Sequence, residues 1–275
     1  MKKLTLLVLL LILIAGVTAG CGTTPQKTEK QEKPAEVAVL KVGVTAGPHA
    51  EIMEVVKKVA EKDGLKLEIV EFNDYMQPNI ALDKGDLDVN SYQHQPWLDN
   101  QIKDRNYKLT SIAKTVVFPM GIYSKKIKKI DELKDGAVVA IPNDPSNGGR
   151  ALLILEKAGL IKLKAGAGLT ATPADIAENP KNIKIKELDA AQIPRSLDDM
   201  DAAAINTNYA VVAGFVPTKD AIALEAPDSP YANLLAVRTQ DKDKPVFQKL
   251  IKAYHSDEVK KFIDEKYKGS FVPTW

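Results

Sequence analysis

From Val37 onward, strand-like segments alternate with helix-like segments, and this alternation constrains the fold more than any other feature of the sequence. Residues 37–44 (VAVLKVGV) are rich in β-branched side chains, and residues 49–62 then carry apolar side chains at the spacing of one helical face. Strands that alternate with helices favour parallel sheets covered by helices on both faces. The sequence therefore predicts an α/β fold.

The alternation continues to the end of the chain. We predict further strands at 65–72, 87–92, 114–124, 137–142, 183–188, 201–206, 222–226 and 232–238. We predict further helices at 76–84, 95–105, from the loop at 144–150 to Gly159, near 190–197, near 208–214, at 244–254 and at 257–267.

The first twenty residues differ from the rest and indicate export. A basic start and a Leu-rich run at 4–14 precede small residues at 16–20, as in a secretory signal. The run is shorter than the roughly twenty residues of a spanning helix. The small residues end at Cys21, as in a bacterial lipobox, although Thr18 stands where leucine is usual. We predict a signal peptide at 1–20 and lipidation of Cys21; the alternative is an ordinary signal peptide followed by an incidental cysteine.

Residues 22–36 are polar, contain proline and lack large apolar side chains, which predicts a flexible tether of roughly 20 Å. The signal contains two of the 38 basic residues, so the remaining chain has 36 basic and 36 acidic residues. This zero net charge argues against nucleic acid as a partner. Cys21 is the only cysteine and the three histidines are not spaced as zinc ligands, so we expect no disulfide, metal or cofactor.

The segment NDPSNGGR (143–150) follows a predicted strand and opens a predicted helix. A helix N-terminus presents unpaired N–H groups and partial positive charge, which favour an anion. Arg150 offers a fork that can bind a carboxylate with two parallel hydrogen bonds. Gly148 and Gly149 lack side chains, so a ligand could approach the backbone closely. The alternative is a capped helix on which Arg150 is a solvated surface charge.

The segment SYQHQPW (91–97) lies at the end of a predicted strand, where open α/β sheets bind ligands. Tyr92 and His94 share one side of an extended chain, and their rings suit a polarizable thioether. Tyr75 lies near another strand end and is a candidate third wall, whereas Trp97 is expected to pack. The alternative is that Tyr92 and His94 are structural core residues.

A third polar segment, INTNYA, places Asn206 and Asn208 where a predicted strand meets a helix. An asparagine amide has a donor and an acceptor, so it can bind an ammonium group or a carboxylate. Asparagine at such a junction is also a common helix N-cap. The residues alone leave both interpretations open.

Six motifs follow one another in this order along residues 41–275: VGVTAGPHAEIMEVV, DVNSYQHQPWLD, FPMGIYSKKIK, AIPNDPSNGGRALLILEKAGLIKL, DAAAINTNYA and SPYANLLAVR. Together they resemble the motifs of the NlpA/MetQ family of substrate-binding lipoproteins, which deliver methionine to an ABC importer.

The resemblance implies a periplasmic-binding-protein fold, in which two α/β lobes with parallel or mixed sheets are joined by two crossing strands. The ligand then lies in the cleft between the lobes. The expected limits are 37–118 plus 239–275 for lobe 1 and 119–231 for lobe 2, with crossings near 118–123 and at 232–238.

The resemblance also implies a set of ligand contacts and no catalytic residue. The expected contacts are Tyr75, Tyr92, His94, Asn147, Arg150, Asn208 and Asn233. The implied function is capture of methionine, first of all L-methionine, by lobe closure without covalent chemistry. The implied partners are an ABC permease and its ATPase, and the protein is expected to be a monomer held on the membrane by Cys21, facing the periplasm or the cell exterior.

Other interpretations stay open at this point. The ligand could be D-methionine, a methionine-containing dipeptide or another amino acid. An enzyme on the same fold is a further alternative, but the sequence has no GxSxG motif and no cysteine free to act as a nucleophile. An adhesin or surface antigen is another alternative.

Overall fold

The computed structural model describes residues 37–226 and 228–275, which contain two large β-sheets with helices packed on them. The predicted signal peptide at 1–20, the lipidation site Cys21 and the tether at 22–36 lie outside the described residues. The α/β prediction is confirmed for the part of the chain that the structure describes.

Thirteen strands occur within the described ranges. They are β1 (Ala38–Thr45), β2 (Leu65–Phe72), β3 (Val89–Asn90), β4 (Leu109–Val117), β5 (Gly121–Tyr123), β6 (Val138–Pro142), β7 (Lys162–Leu163), β8 (Ile176–Glu178), β9 (Lys184–Leu188), β10 (Ala202–Ile205), β11 (Ala223–Leu224), β12 (Ala232–Arg238) and β13 (Val272–Pro273).

The same ranges contain nine α-helices, and each predicted helix is present, although the one near 190–197 is reduced to a single turn. They are α1 (Pro48–Lys62), α2 (Gln77–Lys84), α3 (Gln95–Arg105), α4 (Pro145–Lys157), α5 (Ile193–Ser196), α6 (Thr207–Val212), α7 (Pro217–Asp220), α8 (Pro245–Tyr254) and α9 (Asp257–Tyr267).

Both large sheets are mixed rather than purely parallel. The six-stranded sheet has the order β13-β4-β12-β3-β1-β2, with β1 parallel to β2 and β3 and with β4 antiparallel to β12 and β13. The five-stranded sheet has the order β11-β5-β10-β6-β9, with β6 parallel to β9 and β10. In this sheet β5 is antiparallel to its neighbours β10 and β11. The parallel strands come from the strand–helix units that the sequence predicted.

The prediction of one long strand at 114–124 is wrong. Strand β4 ends at Val117 in the six-stranded sheet, and β5 begins at Gly121 in the five-stranded sheet. Pro119 has no N–H to donate to a ladder and restricts the residue before it, so the strand breaks there. The chain returns to the six-stranded sheet between β11 and β12. The limits of the two lobes stay a prediction.

Each sheet has its own hydrophobic core. Helices α1, α8 and α9 cover the six-stranded sheet, and the predicted apolar face of α1 is confirmed by the complete burial of Ile52 and Val56. Helix α4 covers the five-stranded sheet and buries Leu152 and Leu155 completely. These cores hold the strand ends, and the polar loops that follow them, in fixed positions.

Helix α4 packs so closely against neighbouring backbone that two of its positions require glycine. A Cβ on Gly148 would lie 2.8 Å from the carbonyl oxygen of Pro142, and one on Gly149 would lie 2.5 Å from that of Leu169. The expectation that these glycines make room for a ligand is therefore wrong, because protein backbone fills the space beside them.

We predict that Gly149→Ala lowers the free energy of unfolding by about 1–3 kcal/mol, because the new methyl group meets backbone that cannot rotate away. The loss should occur although alanine is the better helix former by about 1 kcal/mol. Urea unfolding followed by circular dichroism measures it. Lys157→Ala on the exposed face of the same helix is the control, with an expected change within about 0.5 kcal/mol. Equal stability of Gly149→Ala and the wild-type protein would show that the backbone at Leu169 moves aside without a cost in free energy.

Candidate ligand-binding site

A cavity of about 350 Å³ lies where polar loops and helix ends from both sheets meet. The lining residues are His49, Tyr75, Tyr92, Gln93, His94, Trp97, Phe118, Asn147, Arg150, Asn206, Thr207, Asn208 and Asn233.

All seven residues expected to contact a ligand line this one cavity, which draws them from five different segments of the chain. Their roles as ligand contacts stay a prediction. Sequence reasoning missed His49, Gln93, Phe118 and Thr207. His49 follows the first strand at the sheet edge that carries the site, and this position is a signal that sequence reasoning overlooked.

Arg150 is a buried cation rather than a solvated surface charge. Its side chain is 4% exposed, and its guanidinium lies 4.5 Å from the centre of the Tyr231 ring. Nε donates to a Glu225 carboxylate oxygen at 2.9 Å, and Nη2 donates to Glu225 and to the carbonyl oxygen of Phe118. The fork that sequence analysis offered to a ligand is therefore occupied by Glu225. Nη1 makes no hydrogen bond to any described residue.

The N-terminus of α4 already holds an anion that belongs to the chain. The Asp144 carboxylate accepts from the backbone N–H of Asn147 at 2.8 Å and from the hydroxyl of Ser146 at 2.9 Å. Burial raises the pKa of Asp144. The expectation that this helix N-terminus is free for a ligand anion is therefore wrong, because Asp144 caps it.

The side-chain amide of Asn147 joins the two sides of the cavity. Its Nδ2 donates to Asp144, and its Oδ1 accepts from His94 Nε2 at 3.1 Å and from Asn206 Nδ2 at 2.8 Å. His94 Nδ1 accepts the backbone N–H of Trp97, so Nε2 must carry the hydrogen that is donated to Asn147. Both lone pairs of Asn147 Oδ1 are thus in use.

His49 fixes the orientation of Asn233. The Nδ2 group of Asn233 donates to His49 Nε2 at 2.8 Å and to the carbonyl oxygen of Tyr92 at 3.1 Å. His49 Nδ1 then carries the proton and donates to Thr45 Oγ1 at 2.7 Å. Both N–H bonds of Asn233 are used, and its Oδ1 makes no hydrogen bond within the described ranges.

Two further asparagines leave one polar atom each without a partner. Tyr75 donates its hydroxyl to Asn208 Oδ1 at 2.5 Å, and Asn208 Nδ2 is buried with no hydrogen bond to the described residues. Asn206 occupies the N-cap position of α6 without capping it, and its Oδ1 is likewise buried and unpartnered there. The interpretation of Asn206 as a side-chain N-cap is therefore wrong.

The unpartnered atoms form two complementary pairs. Arg150 Nη1 and Asn208 Nδ2 are donors without a hydrogen bond to the described residues, whereas Asn206 Oδ1 and Asn233 Oδ1 are acceptors without one. Of these four atoms, Asn206 Oδ1 and Asn208 Nδ2 are fully buried. A buried polar atom without a partner costs about 1–3 kcal/mol, so native proteins rarely keep several in one place without a reason. A ligand that carries both an anion and a hydrogen-bond-donating cation would satisfy all four atoms.

Aromatic rings supply the apolar part of the lining. The ring centres of Tyr75 and Tyr92 lie 6.0 Å apart, and those of Tyr75 and Trp97 lie 5.8 Å apart. Trp97 packs as expected, but it also lines the cavity and donates its indole N–H to the Tyr92 hydroxyl at 3.1 Å. Such rings favour an apolar, polarizable ligand group such as a thioether.

Burial keeps both lining histidines neutral. It lowers the pKa of His49 to about 3, and burial together with the nearby charge of Arg150 lowers the pKa of His94 to about 3. Arg150 is therefore the one cation among the described lining residues, and it is paired with Glu225.

The described part of the chain lacks both a cluster of metal-binding side chains and a membrane-spanning helix. No group of three or more His, Cys, Asp or Glu side chains is arranged to hold a metal ion. No helix in the same ranges is both long enough and apolar enough to cross a membrane.

Comparison with known proteins gives matches over nearly the whole described chain. The model of the NlpA lipoprotein family matches residues 40–275. A D-methionine-binding lipoprotein MetQ of Salmonella typhimurium is 53% identical over 260 residues, which are 94% of this chain and 93% of that relative.

Solved structures agree with the sequence matches. A nutrient-binding protein of Burkholderia cenocepacia bound to methionine is 60% identical and has a TM-score of 0.84, over 86% of this chain and 100% of that one. A periplasmic substrate-binding protein of an ABC transporter from Coxiella burnetii is 52% identical and has a TM-score of 0.83, over the same shares. The family resemblance and the periplasmic-binding-protein fold predicted from the sequence are confirmed.

The low histidine pKa values predict acid sensitivity. Below about pH 6.5 an unfolded histidine takes up a proton, whereas native His49 does so only near pH 3, so the free energy of unfolding falls as the pH is lowered between these values. His49→Gln should make the decrease between pH 5 and pH 4 shallower by roughly 1.4 kcal/mol per pH unit. Urea unfolding at pH 7, 5 and 4 measures this slope.

The matched control is Thr45→Val, which removes the hydroxyl partner of His49 but no titrating group. This variant should lose stability equally at all three pH values. An unchanged slope in His49→Gln would contradict the assignment of a neutral native His49.

Proposed function

Because the chain belongs to the NlpA lipoprotein family, we propose that it captures a free amino acid, first of all L-methionine, and delivers it to an ABC importer. The observation that carries this proposal is that residues lining one cavity hold two donors and two acceptors without a hydrogen bond to the described residues, and that one donor (Asn208 Nδ2) and one acceptor (Asn206 Oδ1) of these are fully buried. An α-amino acid has a carboxylate and an ammonium group on the same carbon, and its two charges match these two pairs of atoms.

The carboxylate binds at the donor pair in this proposal. Arg150 Nη1 supplies a charged donor, and Asn208 Nδ2 supplies a neutral one. Glu225 and Phe118 already hold the other edge of the guanidinium, so the ligand meets a fixed donor rather than a mobile side chain. Such fixed donors lower the entropic cost of binding.

The ammonium group binds at the acceptor pair. Asn206 Oδ1 and Asn233 Oδ1 are oriented by hydrogen bonds from their own amide nitrogens, to Asn147 and to His49 respectively. In this arrangement Asn147 acts by orienting Asn206 and His94, because its own oxygen is already saturated.

The thioether lies against the rings of Tyr75, Tyr92 and Trp97, with His94 beside them. Sulfur–aromatic contacts and burial of the methyl group favour methionine over polar amino acids of similar length.

We place the working protein outside the cytoplasmic membrane, held by a lipid on Cys21. An ABC permease and its ATPase are the proposed partners, and the protein works as a monomer without covalent chemistry. The lipid raises the local concentration of the protein beside the importer. The alternatives within this class are D-methionine, a methionine-containing dipeptide and another amino acid.

We predict that the mature chain, after unfolding and refolding to remove any bound ligand, binds one L-methionine. Arg150→Ala should lose about 2–5 kcal/mol of binding free energy, because the carboxylate loses its charged partner. Isothermal titration calorimetry with L-methionine, D-methionine, Gly-Met and glutamine measures this. Arg105→Ala, on the exposed face of α3, is the control and should bind as the wild-type protein does.

Circular dichroism establishes that each variant is folded. Tighter binding of D-methionine or Gly-Met by the wild-type protein would keep the class and change the ligand. Full binding by folded Arg150→Ala would remove the proposed carboxylate site.

The two ends of the ligand can be tested separately with 4-(methylthio)butanoate, which has the carboxylate of methionine but no ammonium group. Asn206→Ala and Asn208→Ala should each weaken methionine binding about tenfold or more, since each removes a hydrogen bond to a charged group. Only Asn208→Ala should weaken binding of the analogue. Competition calorimetry against methionine measures both. Equal losses for the analogue in the two variants would contradict the assignment of the two ends.

A further inference from the structure

We propose that Glu225 sets the charge selectivity of the cavity: by neutralising Arg150 it makes the cavity accept zwitterions and reject anions of the same shape. Glu225 does not line the cavity, so it acts through Arg150 as a positioning residue. This inference rests on the proposed function, because it concerns which form of an amino-acid-like ligand is bound.

The contacts of Glu225 are those of a built ion pair. Its side chain is 9% exposed, and its carboxylate accepts from Arg150 Nε at 2.9 and 3.1 Å and from Arg150 Nη2. One of its oxygens also accepts the backbone N–H of Met120 at 3.1 Å. The pair is therefore fixed to both stretches where the chain passes between the sheets, after β4 and after β11.

The position of Glu225 decides what Arg150 can offer. Glu225 takes Nε and one side of Nη2, and Phe118 takes a further N–H bond of Nη2. Nη1 is then the one guanidinium nitrogen without a hydrogen bond to a described residue. A guanidinium held in this way binds a carboxylate at one known point and cannot turn to follow a displaced ligand.

The Glu225 carboxylate also changes the net charge that a ligand meets in the cavity. In a cavity with little water, an unpaired guanidinium would attract any anion strongly. The Glu225 carboxylate cancels this charge, so a ligand gains most when its own net charge is zero. Asp144, another carboxylate near the cavity, accepts hydrogen bonds from Asn147 and Ser146 at the positive N-terminus of α4, which offsets part of its charge. A zwitterionic amino acid fits this balance, whereas its deaminated counterpart does not.

The test compares two ligands that differ only in the ammonium group, methionine and 4-(methylthio)butanoate, on the refolded full mature chain. We expect Glu225→Gln to shift the ratio of their dissociation constants toward the anion by about tenfold or more. Glu225→Asp keeps the charge and should retain the wild-type ratio. Glu178→Gln removes an exposed carboxylate that pairs with Lys162, and it should also retain the ratio.

A parallel loss of affinity for both ligands in Glu225→Gln would overturn the proposal, because a merely structural role predicts it. If Glu225→Gln does not fold, Glu225→Ala leaves room for water beside the guanidinium and carries the same expected shift. If the wild-type protein binds no methionine, the proposed function fails by itself. The role of Glu225 is then decided by the anion alone: binding gained in the variant supports it, and no gain contradicts it.

Discussion

Two hydrogen bonds across the cavity determine much of what the rest of the site can do. His94, on the side of the six-stranded sheet, donates to Asn147 on α4, which packs on the five-stranded sheet. Tyr75, which follows β2 of the six-stranded sheet, donates to Asn208 on α6, which follows β10 of the five-stranded sheet. These two hydrogen bonds connect the cavity wall on the side of the six-stranded sheet to the wall on the side of the five-stranded sheet. The proposed ligand contacts are polar atoms that these bonds leave without a partner. The site is therefore defined by which hydrogen bonds are absent as much as by those present.

The cavity lining is nearly neutral although it is rich in polar groups. Burial keeps His49 and His94 uncharged, and both then act as hydrogen-bonding groups that orient asparagines. The single lining cation is paired, and the pair is tied to both chain passages between the sheets. If Arg150 binds the ligand as proposed, a change at its guanidinium acts directly on the two stretches that connect the sheets. In the proposed function, this location couples capture of the ligand to closure of the lobes.

Local patterns in the sequence predicted the strand–helix alternation well, because the apolar spacing of elements such as α1 depends on near neighbours. Strand ends and their polar loops pointed to candidates such as Tyr92 and Arg150, but only the family resemblance favoured the ligand role and pointed to Asn208 and Asn233. The partners of those contacts were not predictable in this way. Glu225 is 75 residues from Arg150, and His49 is 184 residues from Asn233. Only the packed structure brings such pairs together. The break at Pro119 was missed because the residues on both sides of it have the composition of a strand. The sequence does not show that these two strands belong to different sheets.

The most direct test of the account is a crystal structure of the refolded protein with L-methionine bound. We expect one ligand in the cavity. Its carboxylate lies within hydrogen-bonding distance of Arg150 Nη1 and Asn208 Nδ2, and its ammonium group lies within the same distance of Asn206 Oδ1 and Asn233 Oδ1. The sulfur lies among the rings of Tyr75, Tyr92 and Trp97. A ligand bound in the reverse orientation, or one that displaces Glu225 from Arg150, would contradict it.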